Sequence, residues 1–190
     1  MNLSQCRLDV PCLLSALELA RRTDELARNI SDDYAGKELL VVGVLKGAFV
    51  FMADLVRRLT VPVRCDFIKV SSYGLSTDTS GEVKLHLDLS LPVERQHVLL
   101  VEDIVDTGTC SAWLLEHLRS KRPASARLCA LLDKPSHRRT PVEIDYLGFS
   151  IADHFIVGYG IDCGERYRQL PYVGYVPPGE SLDGPSSQSP

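Results

Sequence analysis

What this chain of 190 residues lacks narrows the field first. Aromatic residues are few, five Phe, seven Tyr and a single Trp, or 7% in all. Its longest apolar stretch, Leu39 to Leu45, is far short of the ~20 residues a helix needs to span a bilayer, which excludes a membrane-spanning helix. The start, MNLSQCRLDVPCLLSALELARR, has no basic head and no continuous apolar core, because Asp9, Pro11 and Glu18 interrupt it. It therefore predicts no secretory signal. The formal charge of −4 carries no excess of positive residues, so nothing global draws the chain to nucleic acid or an anionic membrane. Six cysteines, Cys6, Cys12, Cys65, Cys110, Cys129 and Cys163, never occur as C-x-x-C. They read as reduced thiols of a cytoplasmic protein, not as bridges or zinc ligands. Internal repeats are absent, and so is the G-x-x-x-x-G-K-[ST] phosphate loop. Gly158, Gly160 and Gly164 miss the dinucleotide fingerprint by one residue in the last gap.

What remains is an ordinary globular composition, 45% hydrophobic and 24% charged. A chain of this length buries roughly 70% of its unfolded surface without staples. The expected organisation is one domain over 1–176 and a disordered tail over 177–190, where PPGESLDGPSSQSP has no apolar period. Apolar residues at Leu13, Leu17, Ala20, Leu26, Ala27 and Ile30 predict a helix from Cys12 to Ile30. Glu38 to Leu45 is a β-branched run that fits a strand buried on both faces. A second helix is expected in AFVFMADLVRRL, ending near Pro62, and a strand from Arg64 to Val70. The polar segment Ser71 to Gly81 has the length and composition of a lid, and Glu82 to Leu89 alternates as a half-exposed strand should. Further strands are expected at His97 to Val101, Ala126 to Leu132, Val142 to Phe149 and Phe155 to Tyr159, with a helix from Cys110 to Ser120. Strands alternating with helices predict an α/β fold with a largely parallel sheet.

The segment HVLLVEDIVDTGTCSAWLLEHL carries the chemistry. An apolar strand runs into Glu102 and Asp103, Asp106 follows, and Thr107-Gly108-Thr109 opens a helix. Ligands of open α/β sheets bind beyond the carboxyl ends of the strands. A first helical turn presents unpaired N–H groups to phosphate, and Gly108 removes the Cβ that would hold a ligand off. The acids would repel phosphate, so they serve sugar hydroxyls, a hard cation such as Mg²⁺, or a developing positive charge. The competing reading is an acidic helix cap with a glycine turn.

VEDIVDTGT resembles the phosphoribosyl pyrophosphate (PRPP) signature of the type I phosphoribosyltransferases. LKGAF, SSYG, LLDKPSHRR and FIVGYGIDCGERYRQL match the 6-oxopurine, hypoxanthine-guanine branch of that family in the same order. The likeness runs from about Ala20 to Val176. It implies the type I fold, a largely parallel twisted sheet flanked by helices, with a small hood and a flexible lid loop. It also implies Mg²⁺-dependent transfer of 5-phosphoribosyl from PRPP to N9 of hypoxanthine or guanine, giving IMP or GMP and pyrophosphate.

By that resemblance Glu102 and Asp103 bind the ribose hydroxyls directly or through Mg²⁺, and Asp106 takes or holds the purine N7 proton. Thr107, Gly108, Thr109 and Cys110 form the 5′-phosphate loop, where Cys110 replaces the family's usual Thr and a thiol is a weak donor. Lys46, Gly47 and Arg168 bind pyrophosphate, with a cis peptide expected between Leu45 and Lys46. Lys134 reaches the purine 6-oxygen, Phe155 stacks on the base and the backbone of Ile156 meets its edge. Asp162 stands beside the base and holds a second Mg²⁺. Ser72 and Tyr73 belong to the lid. Relatives are homodimers or homotetramers. Arg57-Arg58, Arg119 to Arg122 and His137 to Arg139 are expected to be solvated ends or subunit contacts. The alternative function is a regulatory or nucleotide-sensing protein of the same fold, since fold does not fix function. Asp106, Lys134, Asp162 and Arg168 favour the enzyme.

Overall fold

The structure, a computed structural model, describes residues 10–72 and 83–177. The expected lid from Tyr73 onward and the expected disordered tail beyond Pro177 lie outside these residues. So does the side chain of Ser72, the last residue of its strand.

A six-stranded sheet forms the body. Its strands are β2 (Leu39–Val44), β3 (Val63–Ser72), β4 (Val83–Leu87), β5 (His97–Val105), β6 (Ser125–Asp133) and β7 (Tyr146–Ser150), in the order β4-β3-β2-β5-β6-β7. All neighbours are parallel except β4, which pairs antiparallel at the edge. A smaller sheet joins β1 (Cys12–Leu14) to β9 (Val173–Val176), and β9 to β8 (Phe155–Val157). It corresponds to the expected hood, assembled from segments far apart in the chain.

Alternation along the central strands sets the two cores. Leu39, Val41, Leu99 and Val101 face α1 (Ala16–Asp33) and α2 (Phe49–Val56). Leu40, Val42, Val98 and Leu100 face α3 (Thr109–Ser120). Both faces are covered, which is why β2 and β5 read as unbroken apolar runs. Each fully buried Leu contributes about 1.5–3 kcal/mol of burial.

Three expectations change. Residues Cys12–Leu14 are a strand, because Ser15 caps α1: its hydroxyl accepts from Glu18 N–H and its own N–H bonds the Glu18 carboxylate at 2.8 Å. That capping box, S-x-x-E, breaks the longer helix that periodicity suggests. The buried stripe is then Leu19, Thr23, Leu26, Ala27 and Ile30, and Leu17 is exposed. The second helix stops at Val56, well before Pro62. The expected strand from Val142 begins only at Tyr146, because the Asp145 carboxylate accepts the Leu128 N–H at 2.8 Å where a backbone carbonyl would otherwise pair.

Candidate active site

From β2 the chain steps to β3 on one side, and later returns through β5 on the other. The carboxyl ends of β2 and β5 therefore flank the topological switch point, where open α/β sheets leave a crevice for ligands. Lys46 and Gly47 follow β2 there, after a cis Leu45–Lys46 peptide. On the other side β5 does not end at Val101 as the apolar run suggests. It continues through Glu102 and Asp103 to Val105.

Because both acids lie within a strand, their side chains leave on opposite faces. Glu102 goes to the α3 face, where it is buried and its Oε2 accepts the Ser111 hydroxyl at 2.5 Å. Burial pushes its carboxyl up to about 8, against that bond and the charge of Arg138, and with the help of Asp103. Asp103 goes to the α2 face, against Gly47. A Cβ on Gly47 would stand 1.7 Å from Asp103 Oδ2, so only glycine fits between loop and carboxylate. Burial raises Asp103 to about 6; its own and Ile104's N–H groups and Arg168 oppose the rise.

Beyond β5, Asp106, Thr107, Gly108 and Cys110 line a cavity of about 470 Å³ together with Glu102, Asp103 and Ser111. Gly108 caps α3 at φ 81°, and any Cβ there would meet the Thr140 carbonyl oxygen at 2.3 Å. Thr107 carbonyl accepts from the N–H groups of Arg139 and Thr140 at 2.9 and 3.0 Å, and Thr109 Oγ1 meets Thr140 Oγ1 at 3.2 Å. The 138–140 segment thus braces the loop from behind, and the open first turn of α3 presents N–H groups and the helix dipole to an anion.

Lys46 Nζ donates to Glu165 Oε2 at 2.9 Å, and Arg168 Nη2 reaches the same carboxylate at 3.1 Å. Arg168 also pairs with Asp162 Oδ1 at 2.8 Å, while Asp162 Oδ2 accepts the Glu165 N–H. The two cations expected at pyrophosphate are thus gathered by one acid. Glu165 is a member of this cluster that motif reading passed over; its place between Asp162 and Arg168 was the signal.

On the side of β6, Lys134 is buried and its Nζ lies 3.9 Å from Asp153 Oδ1. Phe155 is 56% exposed although it stands in an apolar run, whereas Ile156 is buried. The basic cluster at His137 to Arg139 is not merely solvated. His137 bonds Asp106 and Asp153, and Arg138 is held by Asp133. Arg168 likewise is a largely buried side chain.

No group of three or more His, Cys, Asp or Glu side chains that could hold a metal occurs among the described residues. Asp103 and Asp162 are near enough that the charge of one raises the proton affinity of the other. Two carboxylates of this kind suit Mg²⁺, which keeps several waters and takes its remaining ligands from phosphates. Among the described residues, no helix is long and apolar enough to cross a membrane.

A family model for the phosphoribosyl transferase domain matches residues 13–163. A hypoxanthine-guanine phosphoribosyltransferase of Mycobacterium avium is 45% identical over 172 residues, covering 87% of this chain and 85% of the relative. The bifunctional protein TilS/HprT of Listeria innocua is 46% identical over 166 residues, again 87% of this chain, which spans only 26% of that longer protein. A crystal structure of a Bacillus anthracis hypoxanthine-guanine phosphoribosyltransferase, with HEPES in its active site, superposes with a TM-score of 0.84. Its identity is 44%, covering 88% of this chain and 99% of that one.

Proposed function

The chain belongs to the phosphoribosyl transferase family, and from that membership we propose that it transfers 5-phosphoribosyl from PRPP to N9 of hypoxanthine or guanine. The products are IMP or GMP and pyrophosphate, so the protein is a purine-salvage pentosyltransferase acting in the cytoplasm. One observation carries the reading. Glu102, Asp103, Asp106 and the Thr107–Gly108 turn line one cavity at the carboxyl end of β5, and the backbone of Lys134 is joined to that strand end, its N–H bonding the Val105 carbonyl at 3.0 Å.

In this reading the first turn of α3, from Thr107 to Cys110, holds the 5′-phosphate through backbone N–H groups. The thiol of Cys110 then costs little, because the backbone supplies most of the contact. Glu102 and Asp103 take the ribose hydroxyls, one from each face of β5. Lys46 and Arg168 exchange the Glu165 carboxylate for pyrophosphate, and Gly47 lets its backbone approach both Asp103 and the ligand. Glu102 and Asp103 would hold one Mg²⁺ and Asp162 a second, and these ions when bound would neutralise charge on the pyrophosphate leaving group. As the bond from C1′ to pyrophosphate lengthens, positive charge grows on the sugar and the surrounding carboxylates stabilise it. Asp106 accepts the N7 proton as N9 bonds to C1′. Phe155, exposed and waiting, offers a face for the base to stack on. Self-association into dimers or tetramers belongs to the same proposal; exposed Leu17 and Phe49 offer apolar surface for it.

The purine preference tests the proposal. A lysine ammonium only donates, so Lys134 finds an acceptor in the 6-oxygen of hypoxanthine or guanine and meets donor hydrogens on adenine. Sites built around one hydrogen-bonded group reject analogues lacking it by about 10⁴–10⁵. Pyrophosphate release from PRPP with each base is expected to be strong for hypoxanthine and guanine and negligible for adenine. Comparable use of adenine, or no turnover with any purine, would overturn the reading. The latter result would favour the nucleotide-sensing alternative.

A further inference from the structure

His137 stands between two carboxylates. Its Nδ1 lies 2.8 Å from Asp106 Oδ1, and its Nε2 lies 2.9 Å from Asp153 Oδ2. An ionised carboxylate only accepts hydrogen bonds, and a neutral imidazole has one donor and one acceptor nitrogen. Both contacts are hydrogen bonds only if the bridge holds two protons. Two flanking acids put them on the ring, as an imidazolium. We propose that His137 is a positioning residue for Asp106, clamping it through one oxygen so that the other is presented to the purine.

The proposal rests on the reading of Asp106 as the group at purine N7. Its further content is a connection. Asp153, the second anchor of the imidazolium, lies 3.9 Å from Nζ of Lys134, the residue assigned to the 6-oxygen. Asp106, His137, Asp153 and Lys134 thus form one chain of charges running from the end of β5 through the segment after β6 to the connection before β8. The groups assigned to two edges of one base are set by a shared anchor.

The charged groups around the ring are few. Asp106 and Asp153 face it directly, and Lys134 faces it through Asp153. Arg138, its neighbour in sequence, is committed to Asp133. Arg139 adjoins through the backbone N–H that bonds the Thr107 carbonyl. The hydrogen bond to Asp153, then the bond and charge of Asp106, raise the imidazole above its ordinary 6.5. At higher pH the ring loses one proton and can serve only one of the two acids. Asp106 then loses its fixed orientation in a fraction of the molecules.

Two measurements decide it on the full chain. First, with PRPP and hypoxanthine, His137→Gln is expected to lower kcat about tenfold while KM for PRPP changes less than about twofold, as for a group misplaced in the transition state. The native protein is expected to show an alkaline decline in kcat as the ring loses its proton, and the same variant should lack it. Unchanged kcat with an unchanged alkaline limb would overturn the proposal. Second, NMR titration of the His137 ring in the unliganded protein is expected to give a midpoint above 6.5 that falls in Asp153→Asn. A midpoint that ignores Asp153→Asn would overturn the bridge. The titration needs no turnover, so a native protein inactive on every purine would refute the functional reading while the titration still judged the clamp.

Discussion

Acids at the end of β5 and acids beside the β4–β5 connection are the same chemical groups put to opposite uses. Asp66 on β3 is as buried as a core residue, yet it accepts from the N–H groups of Phe67, Ser90 and Leu91 and from the Ser90 hydroxyl. Burial alone would raise its carboxyl, but those bonds outweigh it and hold the group below its ordinary range. Asp88 behaves alike. Burial raises it, and His117, Lys121 and the Leu89 N–H bring it down to about 2. Glu102 is also buried but has the Ser111 hydroxyl against its desolvation, and Asp103 has only nearby N–H groups and a distant guanidinium, so both end above their ordinary values. The lesson is one of donor supply. Acids that tether the fold receive donors from the protein, whereas acids at the cavity are left short of them and keep capacity for a ligand.

The sharpest way to break this comparison is Asp106→Asn. The amide keeps the shape and cannot accept a proton, so kcat is expected to fall about 10²–10⁴-fold with unfolding unchanged. A variant with native kcat would remove Asp106 from the chemistry. Asp66→Ala should do the reverse. It leaves several donors unpaired and is expected to cost about 3 kcal/mol in urea unfolding, with kcat per folded molecule intact. Loss of activity without loss of stability would erase the distinction between the two sets of acids.

Glu102→Gln is predicted to separate stability from function. Between pH 4.5 and about 8 the unfolded chain has released the Glu102 proton while the folded chain keeps it. Folding therefore takes up a proton, and native stability falls as pH rises through that window. The Gln variant, in Mg²⁺-free buffer, should escape that decline and be the more stable protein at pH 8. It should lose activity at the same time. Parallel pH profiles of unfolding in the two proteins would show that Glu102 is not held protonated. The smallest effect is expected from Asp88→Asn. A carboxyl depressed from 3.8 to about 2 contributes stability that is complete above 3.8 and lost as pH falls toward 2. Its 38% exposure screens the pair, so the variant should lose less than about 1 kcal/mol at neutral pH and nothing below pH 2. A larger loss, or one persisting in acid, would mean that packing and not charge holds the β4–β5 connection.

Much of the site was legible because it is local in the chain. The β5 acids, Gly108 and the start of α3 lie close together in the chain, so pattern alone placed them between an apolar strand and a helix start, although β5 itself runs on through both acids. Buried strands announced themselves as apolar runs, and the parallel α/β architecture followed from their alternation with helices. Where the local pattern and the structure differ, a partner remote in sequence decides the outcome. The start of α1 lies at Ala16 and not Cys12, because the Ser15 cap overrides the periodicity and because β1 pairs with β9, more than 150 residues away. β7 begins at Tyr146 and not Val142 because a side chain, Asp145, takes the place of a backbone acceptor.

By itself, then, the order of residues determined most of the element types, the apolar faces and the glycine turn at the start of α3, since these depend on neighbours within a few positions and on side-chain size and polarity. Only the tertiary structure decided that Glu102 and Asp103 serve opposite faces, that Gly47 must be glycine because Asp103 packs against it, and that Glu165 joins Lys46 and Arg168. Only there, too, does His137, outwardly one more basic residue in a surface run, become a bridge between two acids. The physical reason is that proton affinity and pairing depend on what comes within about 3 Å, and the contacts at that range are set by the crossing of strands that the linear pattern does not encode.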